Sequence, residues 1–169
     1  MPDLITHVAI SHLVRRPWER IHPSKKTGAF RVLFYFGTIL PDITSRALNI
    51  AFPSTVKWTL ALHTPAGSLL CCIIIAFLFE SSIRKSVFLN LIGGTALHYL
   101  LDTFQYVTTP VFFWGFPFTW ADCSLHILDA NDIVLFSPIW ILLVVIMELF
   151  YYIRSKMRQS VQTTQKRTG

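Results

Sequence analysis

Apolar and polar positions along the chain divide it into four long apolar stretches separated by short segments that hold most of the basic residues. The most uniform stretch is Ile133 to Ile153, broken only by Glu148. Trp58 to Phe79 carries no charged residue. Ser86 to Leu101 follows the same pattern and is extended by Asp102 and Thr103. Phe30 to Asn49 is the least uniform, because Arg31, Asp42 and Arg46 interrupt it. A hydrocarbon core of ~30 Å needs ~20 helical residues at ~1.5 Å each, and all four stretches approach that length. Ahead of them lies a shorter apolar helix, Leu4 to Val14, which reads as a half-helix or an interfacial segment. The pattern therefore predicts an all-α integral membrane bundle of about four transmembrane helices plus a short N-terminal half-helix.

Composition narrows the class. Of 169 residues, 53% are hydrophobic and 14% charged, against ~25% charged in an average soluble domain. This excludes a disordered chain, a disulfide scaffold and an ordinary water-soluble enzyme. The formal net charge of +6 would suggest nucleic acid in a soluble protein. Here no helix-turn-helix or zinc-finger pattern is present, and no nucleic-acid partner is expected. The basic residues instead fall into Arg15 to Arg31, Arg84–Lys85 and Arg154 to Arg167. Placing those clusters on one side collects 13 of the 15 Lys and Arg there, with only Arg46 and Lys57 opposite. The positive-inside rule makes that side cytoplasmic. The expected organisation is a membrane-embedded domain over 1–153 and a basic, disordered cytoplasmic tail over 154–169, attracted to anionic lipid. No positively charged region precedes the first apolar stretch, so the spans themselves are expected to direct insertion. Cys71 and Cys72 lie in an apolar run and Cys123 in a loop, without a CxxC, and read as small apolar residues. Gly93-Gly94 reads as a site of close helix packing. Residues 104–120 hold eight aromatics, an interfacial belt or a lid over a lipid.

Ionisable groups inside apolar stretches cost free energy and are functional candidates. Asp42, His63, His98 and Asp102 meet that description. His98 and Asp102 are four apart, which puts them on one helix face a turn apart. The topology brings Asp42, His63 and Asp102 to the outer ends of three different spans, with His98 one turn deeper. Two His and two Asp make a mixed nitrogen and oxygen set suited to a divalent metal: zinc, manganese or iron. His7 lies ~12 Å above the inner interface if the first helix rises from Arg15, and could reach the cluster from below. His12 is read as facing elsewhere, while Asp3 and Ser11 share the face of His7 and could support it. Asp122, His126, Asp129 and Asp132 form an acidic stretch before the last span, read mainly as a solvated face. Asp42 and Asp129 are the candidates for a general base.

These residues resemble a known family: the membrane-bound, metal-dependent hydrolases of bacterial inner membranes, one branch of which is described as LexA-binding and inner-membrane-associated. The matching pieces occur in order as Thr6-His7, Leu40-Pro41-Asp42, His63 and the His98-x-x-x-Asp102 pair, followed by Trp114-Gly-Phe-Pro117. They span roughly residues 1–140. Many members carry a His-Arg followed by Thr-His-Ser, whereas this chain reads His63-Thr-Pro-Ala-Gly-Ser68 and lacks the second His. The order of Asp, His and His-x-x-x-Asp also looks like that of zinc-dependent phospholipase C. The resemblance implies a metal-dependent hydrolase, with zinc foremost and manganese second, held by His7, Asp42, His63, His98 and Asp102. It implies a phosphoester or membrane lipid as substrate on the outer side, and a LexA-type partner. The competing expectation is a non-enzymatic membrane protein in which the same residues form a structural metal site or a polar network. A proton or metal transporter is a third class, and it needs a polar line that continues to the inner face.

Overall fold

Helices form where the apolar stretches lie, but their limits follow local capping and proline positions more closely than hydropathy. The computed structural model describes residues 4–22, 27–55, 61–104, 127 and 130–168. Five long helices are α1 (Leu4–Ile21), α2 (Thr27–Ala51), α3 (Pro65–Phe77), α4 (Ser81–Thr103) and α5 (Ala130–Thr168), with a short 3-10 turn at Pro53–Thr55. The described residues contain no strand, and the all-α expectation holds at that level.

Expectation and structure part in four places. The uncharged stretch Trp58 to Phe79 is not one helix. Thr64 has extended backbone angles, φ −107° and ψ 156°, and its side chain accepts a hydrogen bond from the Gly67 amide at 3.0 Å. Pro65 follows at the first helical position, where its missing N–H costs nothing. A threonine cap and a proline thus restart the helix, leaving α3 with 13 residues, ~20 Å long. The first helix does not stop near Val14 but runs through Pro17 to Ile21. The tail expected to be disordered continues α5 as far as Thr168; no Gly or Pro stands between Tyr151 and Thr168 to stop it. Finally, among the described residues one helical segment, Val134–Ser160, is both long and apolar enough to cross a membrane. α2 and α4 reach 25 and 23 residues, yet charged and polar side chains dilute them.

The tightest pairing is α2 against α4. Two glycines face across it. A Cβ on Gly37 would overlap the backbone of Leu91, and one on Gly94 would overlap the carbonyl of Phe34. Gly93 instead lies against the Phe34 ring. Small residues let the two backbones approach, as in packed membrane helices. A core of Leu40, Cys72, Ala76, Val87 and Leu91 extends this contact to α3. Cys72 is fully buried and Cys71 half-buried, both free. Helix α1 lies in a cradle between α2 and α5. Most of α5 shows apolar side chains outward, including Leu135, Val145 and Phe150.

Pro41 adds a directional tie. It has no N–H to give the Gly37 carbonyl one turn back. That carbonyl instead accepts the Thr95 hydroxyl of α4 at 3.0 Å. The proline therefore locks α2 to α4 one turn below His98 and fixes the height of the adjacent Asp42.

Candidate metal centre

Four segments deliver five side chains to one place. His7 comes from α1, Asp42 from α2, His63 from the turn before α3, and His98 and Asp102 from α4. His98 and His7 are 0% and 1% exposed, and Asp42 is 2% exposed. α1 comes close through small residues: the Ser11 hydroxyl lies 2.7 Å from the His7 carbonyl and 2.9 Å from the Thr38 hydroxyl on α2, and its one proton serves either acceptor. Ser11 therefore holds the helix that carries His7 rather than its ring. Asp3 lies outside the described residues. His63 sits where the chain turns. Thr64 donates to Ala61 O at 2.7 Å, and a Cβ on Gly67 would overlap that same carbonyl. Residues 61–68 are closed into a tight loop with His63 at its inner side.

The distances within the cluster are close to uniform. His98 Nε2 is 3.2 Å from Asp102 Oδ2 and 3.3 Å from His63 Nε2. His63 Nε2 is 3.4 Å from Asp42 Oδ1 and 3.8 Å from Asp102 Oδ2. His7 Nε2 is 3.5 Å from Asp102 Oδ1, and its ring lies 4.7 Å from that of His98. Ligands bound tetrahedrally at ~2.0–2.2 Å stand ~3.3–3.6 Å from one another, so these separations match the edges of a coordination polyhedron. Two overlapping triads satisfy a 4.8 Å mutual limit: His7, His98 and Asp102, and Asp42, His63 and His98.

Hydrogen bonding leaves the cluster incomplete. Both ring nitrogens of His7, Oδ1 of Asp42 and Nδ1 of His98 are buried without a hydrogen-bond partner. Each such group costs ~1–3 kcal/mol. Two carboxylates also meet beside three imidazoles in a largely buried site, where, among the described residues, Arg46 is the basic group that approaches, its Nε 4.0 Å from Asp42. A divalent cation fits both deficits: it takes lone pairs from nitrogen and oxygen, and it balances two carboxylates.

All five residues expected as metal ligands are thus brought together. Asp129 lies outside the described residues, as do Asp122, Cys123, His126 and the aromatic segment 105–120. Asp132 is exposed in the first turn of α5. Sequence reasoning missed Arg46, although it stands four residues after Asp42 on the same helix face. It also missed Tyr99, whose ring meets His98 and His63 edge-on at 5.4 and 6.0 Å while its hydroxyl pairs with Ser68 at 2.7 Å. No spacing rule would have selected it.

His12 does face elsewhere, as expected, into a second polar network. Its Nε2 meets Glu148 Oε1 at 2.9 Å, and its Nδ1 meets the Tyr35 hydroxyl at 2.7 Å. No family model, curated protein or solved structure matches the chain. The fold and cluster therefore define it as an all-α protein with a buried His/Asp group able to hold a metal ion.

Proposed function

We propose that this chain is a multi-pass protein of the inner membrane and a metal-dependent hydrolase, acting on a phosphoester, with a membrane lipid as substrate. The convergence of His7, Asp42, His63, His98 and Asp102 from four segments, at ligand-to-ligand spacing, carries this reading. Zinc is the preferred ion because imidazole and carboxylate donors at these separations suit its tetrahedral shell. When bound, such a cation supplies Lewis acidity and brings the pKa of a water from ~15.7 toward ~7. The protein's part is positioning. His63, His98 and Asp102 would hold the ion. Asp42, with Oδ1 lacking a hydrogen-bond donor, would either complete the shell or accept a proton as general base. Asp129 is the second candidate base. Arg46 would pair with the negative charge of the phosphoester. Substrate would enter past the half-buried His63, 16% exposed.

The test is metal content of detergent-purified protein beside His98→Ala/Asp102→Ala, followed by a phospholipid-hydrolysis screen. One equivalent of zinc or manganese, lost in the variant along with hydrolysis, is the expected result. Metal without hydrolysis favours a structural site. No metal after reconstitution with excess ion leaves a purely polar network.

A further inference from the structure

The C-terminal end of α1 and the basic part of α5 enclose a cavity of about 420 Å³, lined by Arg20, Tyr151, Arg154, Ser155, Arg158 and Gln159 among others. Its charges are arranged by helical spacing. Tyr151, Arg154, Ser155 and Arg158 stand at i, i+3, i+4 and i+7, one stripe of α5. Arg20 reaches across from α1, its guanidinium 4.7 Å from the centre of the Tyr151 ring. The other arginines of this end are neutralised: Arg16 by Glu148 at 2.6 Å, and Arg15 and Arg31 by Glu19 at 3.3 and 2.6 Å. Among the described residues, Arg20, Arg154 and Arg158 have no carboxylate within the 4.0 Å of an ion pair. Three uncompensated guanidinium groups therefore converge on one hollow, where mutual repulsion opposes the arrangement and an anion relieves it. Guanidinium recognises phosphate oxygens with paired N–H donors, and Ser155 adds a hydroxyl to the lining.

The cavity opens beside the outward apolar face of α5, where Leu143, Ile146 and Phe150 are exposed one to two turns away. A phosphate seated among the arginines would have its acyl chains alongside that face. We infer that this cavity is a binding site for the phosphate headgroup of an anionic phospholipid of the inner leaflet. The inference shares the membrane orientation with the proposed function but is independent of the metal cluster, which involves none of these residues.

Binding of dihexanoyl phosphatidylglycerol, dihexanoyl phosphatidylcholine and inorganic phosphate to the full detergent-purified chain tests it, read by native mass spectrometry. The variants are Arg154→Ala/Arg158→Ala and, as a control with equal charge change on the same face but outside the cavity, Lys85→Ala/Lys156→Ala. At ~1 kcal/mol per basic residue, the first pair should bind phosphatidylglycerol about thirtyfold more weakly, and the control should bind as wild type does. Metal content, measured on the same samples, should stay constant, which separates failure of this site from failure of the metal centre. Equal losses in both pairs would reduce the effect to diffuse surface charge and overturn the site. Equal binding of the two lipids would overturn it as well. Inorganic phosphate competing at the same concentration would overturn the lipid assignment in favour of a free anion.

Discussion

The two ends of α1 meet the same difficulty, charge in an apolar bundle, and meet it differently. Toward its C-terminal end, every acid is answered from within the chain. Glu19, with a side chain 4% exposed, receives Arg31, Arg15 and Arg16. Glu148 receives Arg16 and His12. Because the ionised carboxylate only accepts, His12 Nε2 carries the proton and Nδ1 is left to accept from Tyr35. Toward the N-terminal end, imidazoles and carboxylates face one another, yet several buried atoms lack a partner. The first region is a finished staple of α1 to α2 and α5. The second leaves buried nitrogen and oxygen atoms placed where a metal ion could be held.

Four substitutions test that contrast, in decreasing order of expected effect. Glu19→Ala takes the carboxylate from the half-buried guanidinium groups of Arg15 and Arg31 and should cost ~3 kcal/mol, the lower end for a broken buried pair, seen as a lower unfolding midpoint in detergent. Zinc should still protect the folded fraction, since the staple and the cluster are separate. Next comes His98→Ala. Wild type at a hundredfold excess of zinc over its Kd should gain ~2.7 kcal/mol of stability, and the variant should gain none. If zinc stabilises the variant equally, the cluster is not the site of binding. Third, Gly94→Ala forces a methyl group onto the α2 backbone and should cost ~1–3 kcal/mol. It should also weaken zinc binding, because α2 carries Asp42 while α4 carries His98 and Asp102. Smallest is Thr95→Val, which removes the hydroxyl that answers the carbonyl left open by Pro41 and should cost ~1 kcal/mol. The matching Thr95→Ser should recover most of that loss.

Much of the candidate metal site was legible before the fold was known, and for a physical reason. His98 and Asp102 announce themselves by helical spacing, and Asp42 and His63 by being ionisable inside apolar stretches. The inner staple was not legible. Glu148 and Arg31 read as blemishes in apolar spans, since nothing in one sequence indicates that Glu148 lies beside a histidine 136 positions earlier. The break at Thr64-Pro65 was hidden differently. Hydropathy averages over a window, and an uncharged window looks continuous even where a cap and a proline divide it. The helical end of α5 was obscured by composition, because Arg, Lys and Gln suit both a solvated tail and a helix surface.

Both triads of the metal cluster contain His98, and its Nε2 is the atom that faces Asp102 and His63 alike. A neutral imidazole nitrogen offers a single lone pair. A single ion therefore claims that nitrogen, whether its other ligands come from His7 and Asp102, from Asp42 and His63, or from both triads together. The chain should titrate as a one-ion protein, because each triad joins two buried residues to one partly exposed residue and both share the same imidazole.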